Sequence, residues 1–121
     1  SISKEAKSVY EIVKESQKAG LKAVRPQKTC SSVDNVCRKI IEEHNYGPYF
    51  IHSTGHGIGL DVHESPNISS KSKEKLKKDM AITVEPGIYI PKKFGVRIED
   101  SLIVKDRAYV MHKFTKDLII I

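Results

Sequence analysis

The interpretation of this chain depends on one stretch, His52-Ser53-Thr54-Gly55-His56-Gly57-Ile58-Gly59-Leu60-Asp61-Val62-His63-Glu64. It contains three of the five histidines of the chain, and glycines flank the middle one, His56. Because glycine lacks a side chain, the backbone can bend there and leave space beside the imidazole. A single histidine on a strand usually has a structural role. Three histidines in a glycine-rich turn, followed by an acidic residue, instead favour a functional site.

Two further segments carry acidic residues within apolar runs. Glu85 follows Ala81-Ile82-Thr83-Val84, where a buried carboxylate is costly unless it is paired or binds a metal. In Val96-Arg97-Ile98-Glu99-Asp100, strand alternation places Arg97 and Glu99 on one face, and a buried Arg–Glu ion pair is the plainest structural interpretation. One histidine and two glutamates from three neighbouring segments would make a ligand set suited to Mn²⁺, Co²⁺, Fe²⁺ or Zn²⁺.

Periodicity divides the chain into two helices followed by strands. Apolar spacing predicts a first helix over residues 4–19, with Gln17 on the same stripe and Gly20 as the stop. An extended linker precedes a second helix, which starts near Ser31 or Ser32 and ends at residues 45–47. Strands are predicted at residues 49–51, 80–89, 95–104 and 109–111, with a turn at 105–107 before the last. This order predicts an α+β domain.

The composition limits the possible classes of protein. A chain of 121 residues allows one domain, and its longest apolar run, residues 118–121, is too short to cross a membrane. The sequence shows no signal-peptide core, and Cys30 and Cys37 are predicted to be reduced, so we expect a soluble, cytoplasmic protein. The net charge of +6 suggests nucleic acid as a partner. The basic segment 71–78, however, has no interleaved aromatic residues and is interpreted as a solvated helical turn, so nucleic acid is not favoured.

On these residues the sequence resembles the pita-bread metallopeptidase family, which includes methionine aminopeptidase, aminopeptidase P and prolidase. The resemblance rests on residues 52–64, 80–90 and 95–100, and with the two helices it spans nearly the whole chain. It favours the proline-specific members, prolidase above all, because His52 and Arg97 match positions typical of them. The implied fold is half of a pita-bread fold, with two helices packed on a mainly antiparallel sheet. The implied activity is metal-dependent hydrolysis of Xaa-Pro peptide bonds.

The resemblance also implies a role for each site residue. The metal ligands would be His56, Glu85 and Glu99, around two divalent ions (Mn, Co, Fe or Zn). Glu85 would in addition handle protons, and Glu99 would bridge the ions. The catalytic residues would be His63 and Glu85, with His63 near the scissile peptide. The residues on the substrate side would be His52, His63 and Arg97.

Two aspartate ligands of the family are absent, because Asp34 in the second helix is the only aspartate before Asp61. We therefore expect residues 1–121 to be the C-terminal part of a catalytic domain, which alone binds metal weakly and is inactive. Its expected partners are Xaa-Pro peptides, the missing N-terminal half and a second copy of itself. Self-association is expected because the missing half would uncover strand residues, among them Ile82, Val84, Ile88, Ile98, Leu102 and Val104.

Two other functions fit the same fold. A non-catalytic pita-bread binding module is the main alternative, but such relatives usually lose ligand residues by substitution, and His56, Glu85 and Glu99 are intact here. A creatinase-like amidinohydrolase, which works without metal, is disfavoured by the two intact glutamates. The retained residues therefore favour the peptidase.

Overall fold

The computed structural model describes residues 3–58, 66–113 and 117–120 of the chain. Two helices, α1 (Lys4–Ala23) and α2 (Cys30–Glu43), are followed by a 3₁₀ turn at Gly47–Tyr49. The strands that come next are β1 (Gly55–His56), β2 (Asn67–Ile68), β3 (Ala81–Val84), β4 (Gly87–Ile90), β5 (Phe94–Arg97), β6 (Asp100–Val104), β7 (Ala108–Lys113) and β8 (Asp117–Ile120). Every pair of these strands is antiparallel, so the predicted α+β class is confirmed.

Helix α1 continues past Gly20, where its end was predicted. The Ser3 hydroxyl caps the start of the helix by accepting a hydrogen bond from the Ala6 N–H (3.1 Å). Gly20 is a packing residue rather than a stop, because a Cβ atom there would lie 2.4 Å from the Cys37 Sγ atom of α2. The glycine therefore lets the two helices approach each other closely.

Helix α2 begins at Cys30, slightly before the predicted start, because Thr29 caps it. The Thr29 hydroxyl accepts a hydrogen bond from the Ser32 N–H (3.2 Å). The helix ends at Glu43, close to the predicted end. Cys30 and Cys37 are buried and form no disulfide, as predicted. In the part of the chain that the structure describes, no helix has the length and apolarity needed to cross a membrane.

Within the described ranges, the strands form three sheets with the orders β1–β2, β3–β6–β7 and β4–β5–β8. Two strands predicted as continuous are each divided between two of these sheets. Residues 80–89 contain β3 and β4, which separate at Glu85-Pro86 because proline has no N–H to donate to a ladder. Residues 95–104 contain β5 and β6, which separate at Ile98-Glu99. The predicted pairing across residues 105–107 is confirmed by β6 and β7.

Two local predictions are wrong. The strand expected at residues 49–51 is replaced by the 3₁₀ turn and an irregular segment, since Pro48 fixes φ at the start of that turn. The basic segment 71–78 is not helical, because Leu76 is fully buried and its backbone N–H and C=O bond to residues 28 and 27. The lysines of this segment are exposed, as predicted.

The core forms where the sheets pack on the helices. Six strand residues that were expected to be uncovered are all fully buried, namely Ile82, Val84, Ile88, Ile98, Leu102 and Val104. That expectation is wrong for a structural reason. Leu102 and Val104 alternate with the half-buried Ser101 and Ile103, so the apolar residues of β6 share one face. This face is the one that meets α1, since Gln17 contacts Asp100 there.

Candidate metal and substrate site

Strand register brings the two predicted glutamates to the same end of the β3–β6 pair. Val84 in β3 is the register partner of Asp100 in β6. Glu85 directly follows Val84, and Glu99 directly precedes Asp100. Because the strands are antiparallel, the end of β3 and the beginning of β6 coincide. The backbone ladder alone therefore places both glutamates beside each other.

The histidine segment packs against β3 at the same end. The Glu85 N–H donates a hydrogen bond to the Thr54 carbonyl (2.6 Å). Gly55 permits this close approach, because a Cβ atom there would lie 1.9 Å from the carbonyl oxygen of Thr83. Strand β1 thus delivers His56 to the position at which Glu85 leaves β3.

His56 and Glu85 contact each other. The His56 Nε2 and Glu85 Oε2 atoms are 3.5 Å apart. A carbonyl can only accept, so the His56 Nδ1–H donates to Gly57 O (2.9 Å), which leaves Nε2 as the ring nitrogen that faces Glu85. Although the imidazole is near, Glu85 Oε2 is buried and accepts no hydrogen bond from any described residue. A cation would stabilise such a carboxylate oxygen beside an imidazole nitrogen.

Arg97 and Glu99 form the ion pair expected from strand alternation, but the pair is partly exposed rather than buried. The Arg97 Nη2 atom lies 3.7 Å from Glu99 Oε1, and the two side chains are 37% and 28% exposed. Solvent screening limits what an ion pair of this exposure contributes to stability. Across residues 3–58, 66–113 and 117–120, no group of three or more His, Cys, Asp or Glu side chains could hold a metal ion. The structure therefore brings together two of the three expected ligands, His56 and Glu85.

His52 is held in one tautomer by its neighbours. Its Nδ1–H donates to the Ser53 carbonyl (2.7 Å), and its Nε2 accepts a hydrogen bond from the Tyr89 hydroxyl (2.9 Å). The two rings meet edge to face, with centroids 5.3 Å apart. His63, expected on the same side of the pocket, lies outside the described residues.

Tyr89 is a candidate site residue that the sequence analysis missed. Burial raises the pKa of its phenol, Arg97 lowers this pKa through its charge and a hydrogen bond, and Glu85 and Glu99 raise it. The net shift is upward, so the hydroxyl stays protonated at neutral pH and can donate to His52. The available signal was a tyrosine between two isoleucines of β4, which alternation places on the opposite face from the core.

A buried glutamine connects helix α1 to the strand ends. The Gln17 Nε2 donates to Asp100 Oδ2 (2.7 Å) and lies 3.5 Å from the Val84 carbonyl oxygen. Gln17 is 2% exposed, so the polar residue on the apolar stripe of α1 faces the β3–β6 pair. This contact fixes α1 against the point from which Glu85 and Glu99 emerge.

Comparison with known protein families agrees with this geometry. The model of metallopeptidase family M24 matches residues 1–106, and this chain belongs to that family. A metallopeptidase family implies divalent metal ions, and the buried Glu85 Oε2 atom and the His56 imidazole beside it are a donor pair of the kind that such ions need.

Individual relatives point to the proline-specific branch of the family. The chain is 50% identical over 102 residues to an Xaa-Pro dipeptidase of Pyrococcus furiosus, with 84% of this chain and 29% of the relative covered. It is 48% identical over 114 residues to an Xaa-Pro dipeptidase of Pyrococcus horikoshii, with 93% and 32% covered. The chain therefore spans less than a third of the length of these two relatives.

Solved structures show the same fold. Prolidase from Pyrococcus furiosus matches with a TM-score of 0.91 at 46% identity, over 95% of this chain and 34% of that structure. Aminopeptidase P from E. coli matches with a TM-score of 0.74 at 25% identity, over 88% of this chain and 30% of that structure. These likenesses confirm the resemblance to pita-bread peptidases and the fold that it implied.

Proposed function

We propose that this chain is the C-terminal part of the catalytic domain of a metal-dependent Xaa-Pro peptidase of prolidase or aminopeptidase P type. The observation that supports this most directly is the contact of the His56 imidazole with Glu85 Oε2, a buried oxygen with no hydrogen bond from the described residues. The similarity to proteins named Xaa-Pro dipeptidase supports the choice of substrate.

The residues present fit a metal centre in part. The buried Oε2 atom of Glu85 and the Nε2 atom of His56 are suitable donors, and Glu99 leaves the same end of the strand pair. The proposed ligands are His56, Glu85 and Glu99, for divalent Mn, Co, Fe or Zn. Divalent ions, when bound, supply Lewis acidity and activate water for attack at neutral pH.

The other site residues would bind the substrate and move protons. Tyr89 sits beside His52, whose ring is fixed by two hydrogen bonds, and Arg97 sits beside Tyr89, so this group would line the substrate side. The nitrogen of an Xaa-Pro bond has no N–H before cleavage, so it must receive a proton as it leaves. Glu85 would deliver that proton, and His63 would stabilise the charge developing on the scissile carbonyl.

The proposed centre needs donors beyond those in this chain. Three protein ligands are too few to hold two bridged ions firmly. We propose that polypeptide outside these 121 residues supplies two aspartates, so the chain by itself binds metal weakly and cleaves no Xaa-Pro dipeptide. The strand residues that were expected to be uncovered are buried, so they do not support self-association. Tyr109 and Met111 are exposed on β7, at the edge of the β3–β6–β7 sheet. A cytoplasmic location remains a proposal, supported by two buried free thiols.

A non-catalytic binding module is the second candidate. It is favoured by one observation, the absence of any three-residue metal-ligating group among the described residues. Such a module would keep the fold without holding a metal.

Calorimetric titration with Mn²⁺ and an Xaa-Pro hydrolysis assay separate the two candidates. The complete catalytic domain should bind Mn²⁺ and cleave the dipeptide, and Glu85→Gln should abolish both while the protein remains folded. The 121-residue chain should bind Mn²⁺ only weakly. A complete domain that neither binds Mn²⁺ nor cleaves the dipeptide would establish the binding module. A chain that binds two Mn²⁺ tightly and cleaves Xaa-Pro would show that no further ligands are needed.

A further inference from the structure

Asp34 is a buried acidic residue to which neither the family motifs nor the proposed mechanism gives a role. Its side chain is fully buried in the middle of α2 and accepts four hydrogen bonds. Two come from Arg38, one turn along the helix, through Nε (2.9 Å) and Nη2 (3.1 Å). The other two come from the backbone N–H (3.2 Å) and the hydroxyl (2.8 Å) of Thr54.

Arg38 extends this network to two more residues of the same segment. Its Nη1 donates to the Phe50 carbonyl (3.0 Å), and its Nη2 donates to the His52 carbonyl (3.0 Å). The guanidinium also stacks on the Phe50 ring, with Cζ 4.0 Å from the ring centroid. The Phe50 ring in turn meets the His52 ring edge-on, at a centroid distance of 5.3 Å.

The network contacts residues 50, 52 and 54, which lie in the irregular segment between the 3₁₀ turn and β1. Residues 50–54 belong to no helix or strand, and among the described residues their backbone bonds lie at the two ends of the segment, from Phe50 N–H to Gly47 O (3.1 Å), from Thr54 N–H to Ile68 O (2.9 Å) and from Glu85 N–H to Thr54 O (2.6 Å). A planar arginine fork that binds two carbonyls and a carboxylate at once is a rigid anchor, more so than a lysine. Helix α2 therefore holds the middle of the segment through the carbonyls of Phe50 and His52, which accept no backbone hydrogen bond from the described residues.

We propose that Asp34 and Arg38 are positioning residues, which set the orientation and tautomer of the His52 imidazole and so its hydrogen bond from Tyr89. The catalytic consequence of this rests on the proposed function, whereas the effect on the tautomer does not. Loss of the Arg38 fork frees the carbonyls of residues 50 and 52, and the His52 ring then loses its fixed relation to the Tyr89 hydroxyl.

Long-range ¹H–¹⁵N spectra of the histidine rings test this on the chain without substrate or metal. In the wild type, His52 should show a proton on Nδ1 and a hydrogen-bonded, unprotonated Nε2. In Arg38→Lys, which keeps a charge beside Asp34, the two nitrogens should move toward a mixture of tautomers. His44, which is exposed and near Glu15, serves as the internal reference and should not change.

A second variant, Arg38→Met, is compared with a matched control, Lys39→Met. Both changes remove one positive charge from neighbouring positions of α2, but Lys39 is exposed, whereas Arg38 binds the carbonyls of Phe50 and His52. Phe50→Leu is a further variant, which removes the stacked ring and leaves both charges in place. It keeps the test decisive if Arg38→Met does not fold. A folded Arg38→Lys and a folded Phe50→Leu with unaltered His52 signals would overturn the proposal.

Kinetics of the complete catalytic domain separate this inference from the proposed function. Arg38→Lys should raise KM for an Xaa-Pro dipeptide about tenfold, with the affinity for Mn²⁺ nearly unchanged. Lys39→Met should leave both values as in the wild type. If the wild type cleaves no Xaa-Pro peptide while the His52 tautomer still responds to Arg38, the proposed function fails and the positioning role stands. If the wild type is active and Arg38→Lys changes neither KM nor the tautomer, the positioning role fails alone.

Discussion

The two sides of the candidate site are held in place by different means. On the glutamate side, β3 and β6 form a continuous antiparallel ladder of four register pairs, and Glu85 and Glu99 emerge from its end. On the histidine side, residues 50–54 belong to no helix or strand, and the side chains of Asp34 and Arg38 hold them from α2. The glutamate side therefore depends on a backbone ladder, whereas the histidine side has backbone hydrogen bonds at its ends and depends on side chains between them.

This difference determines where single substitutions act. A ladder keeps its backbone hydrogen bonds when a side chain changes, so substitutions on the glutamate side should alter packing but not register. Removal of one member of a buried polar network leaves its partners buried without hydrogen bonds. The cost in unfolding free energy is then larger than the net stabilisation that the intact network provided. The histidine side should therefore be the more sensitive of the two.

The largest effect on stability is expected from Asp34→Asn. The change leaves Arg38 without its carboxylate and gives Thr54 a poorer acceptor, at a cost of about 3 kcal/mol in the free energy of unfolding. Urea denaturation measures this loss, and hydrogen exchange should show faster exchange at Thr54. The matched control is Asp79→Asn, which breaks the exposed contact with Lys105 and should leave stability nearly unchanged. Equal losses of unfolding free energy in Asp34→Asn and Asp79→Asn would contradict the greater sensitivity expected of the histidine side.

Gln17→Leu should have the next largest effect, on the glutamate side. Asp100 would lose its hydrogen bond from Gln17 while its other carboxylate oxygen already accepts no hydrogen bond from the described residues, at a cost of about 2 kcal/mol. Ser16→Ala is the control. Ser16 lies beside Gln17 in α1, and the change removes its buried hydrogen bond to the Cys37 carbonyl of α2. Amides of β3 and β6 should stay protected from exchange in both variants. Loss of that protection in Gln17→Leu would show that the ladder depends on α1.

A buried thiol where α1 and α2 pack together should make the free energy of unfolding depend on pH in the alkaline range. Burial raises the pKa of the Cys37 thiol to about 12. A thiol with a raised pKa in the folded state holds its proton better there than in the unfolded chain. Stability is therefore complete below the unfolded pKa of 9.0 and falls as pH rises from there toward about 12.

The slope expected from Cys37 is about 1.4 kcal/mol per pH unit inside that window. Urea denaturation of the wild type and Cys37→Ala at several pH values between 8 and 11 measures it. Cys37→Ala should show a shallower decline, although it is less stable at neutral pH. If the free energy of unfolding declined equally with pH in the wild type and in Cys37→Ala, the Cys37 thiol would not be the cause of the alkaline loss of stability.

Arg97→Ala should have the smallest effect on stability and a large effect on turnover. Its ion pair with Glu99 is partly exposed, so the cost in unfolding free energy should be below about 1 kcal/mol. Activity should fall further, because Glu99 and Tyr89 lose a positive charge beside them. Lys93→Ala, which breaks an exposed ion pair with Glu5, should match it in stability and leave turnover intact. A large stability loss with unchanged turnover would assign Arg97 a purely structural role.

The sequence was sufficient for the helices and for the segments that carry the site, but not for how those segments are held. The division of two strands was missed because an apolar run has the same pattern whether it stays in one sheet or crosses to another. Pro86 marked the first break. The burial of Leu102 and Val104 depends on which face meets α1, and composition carries no information about that.

The side-chain partners could not be predicted for a related reason. The contacts of Asp34 with Thr54 and of His52 with Tyr89 join residues far apart in the chain, so no local pattern reports them. Gly20 looked like a helix stop because its role depends on Cys37 in the neighbouring helix. Gln17 on an apolar stripe was the one visible sign of a buried polar contact across the core.

The central claim is that His56 and Glu85 are metal ligands of an Xaa-Pro peptidase. A crystal structure of the complete catalytic domain soaked with Mn²⁺, with anomalous data collected for manganese, tests it most directly. We expect an anomalous peak within about 2.3 Å of both His56 Nε2 and Glu85 Oε2, and the peak should be absent in Glu85→Gln. A domain that cleaves Xaa-Pro dipeptides with its manganese bound elsewhere, or with no peak at His56, would contradict the account.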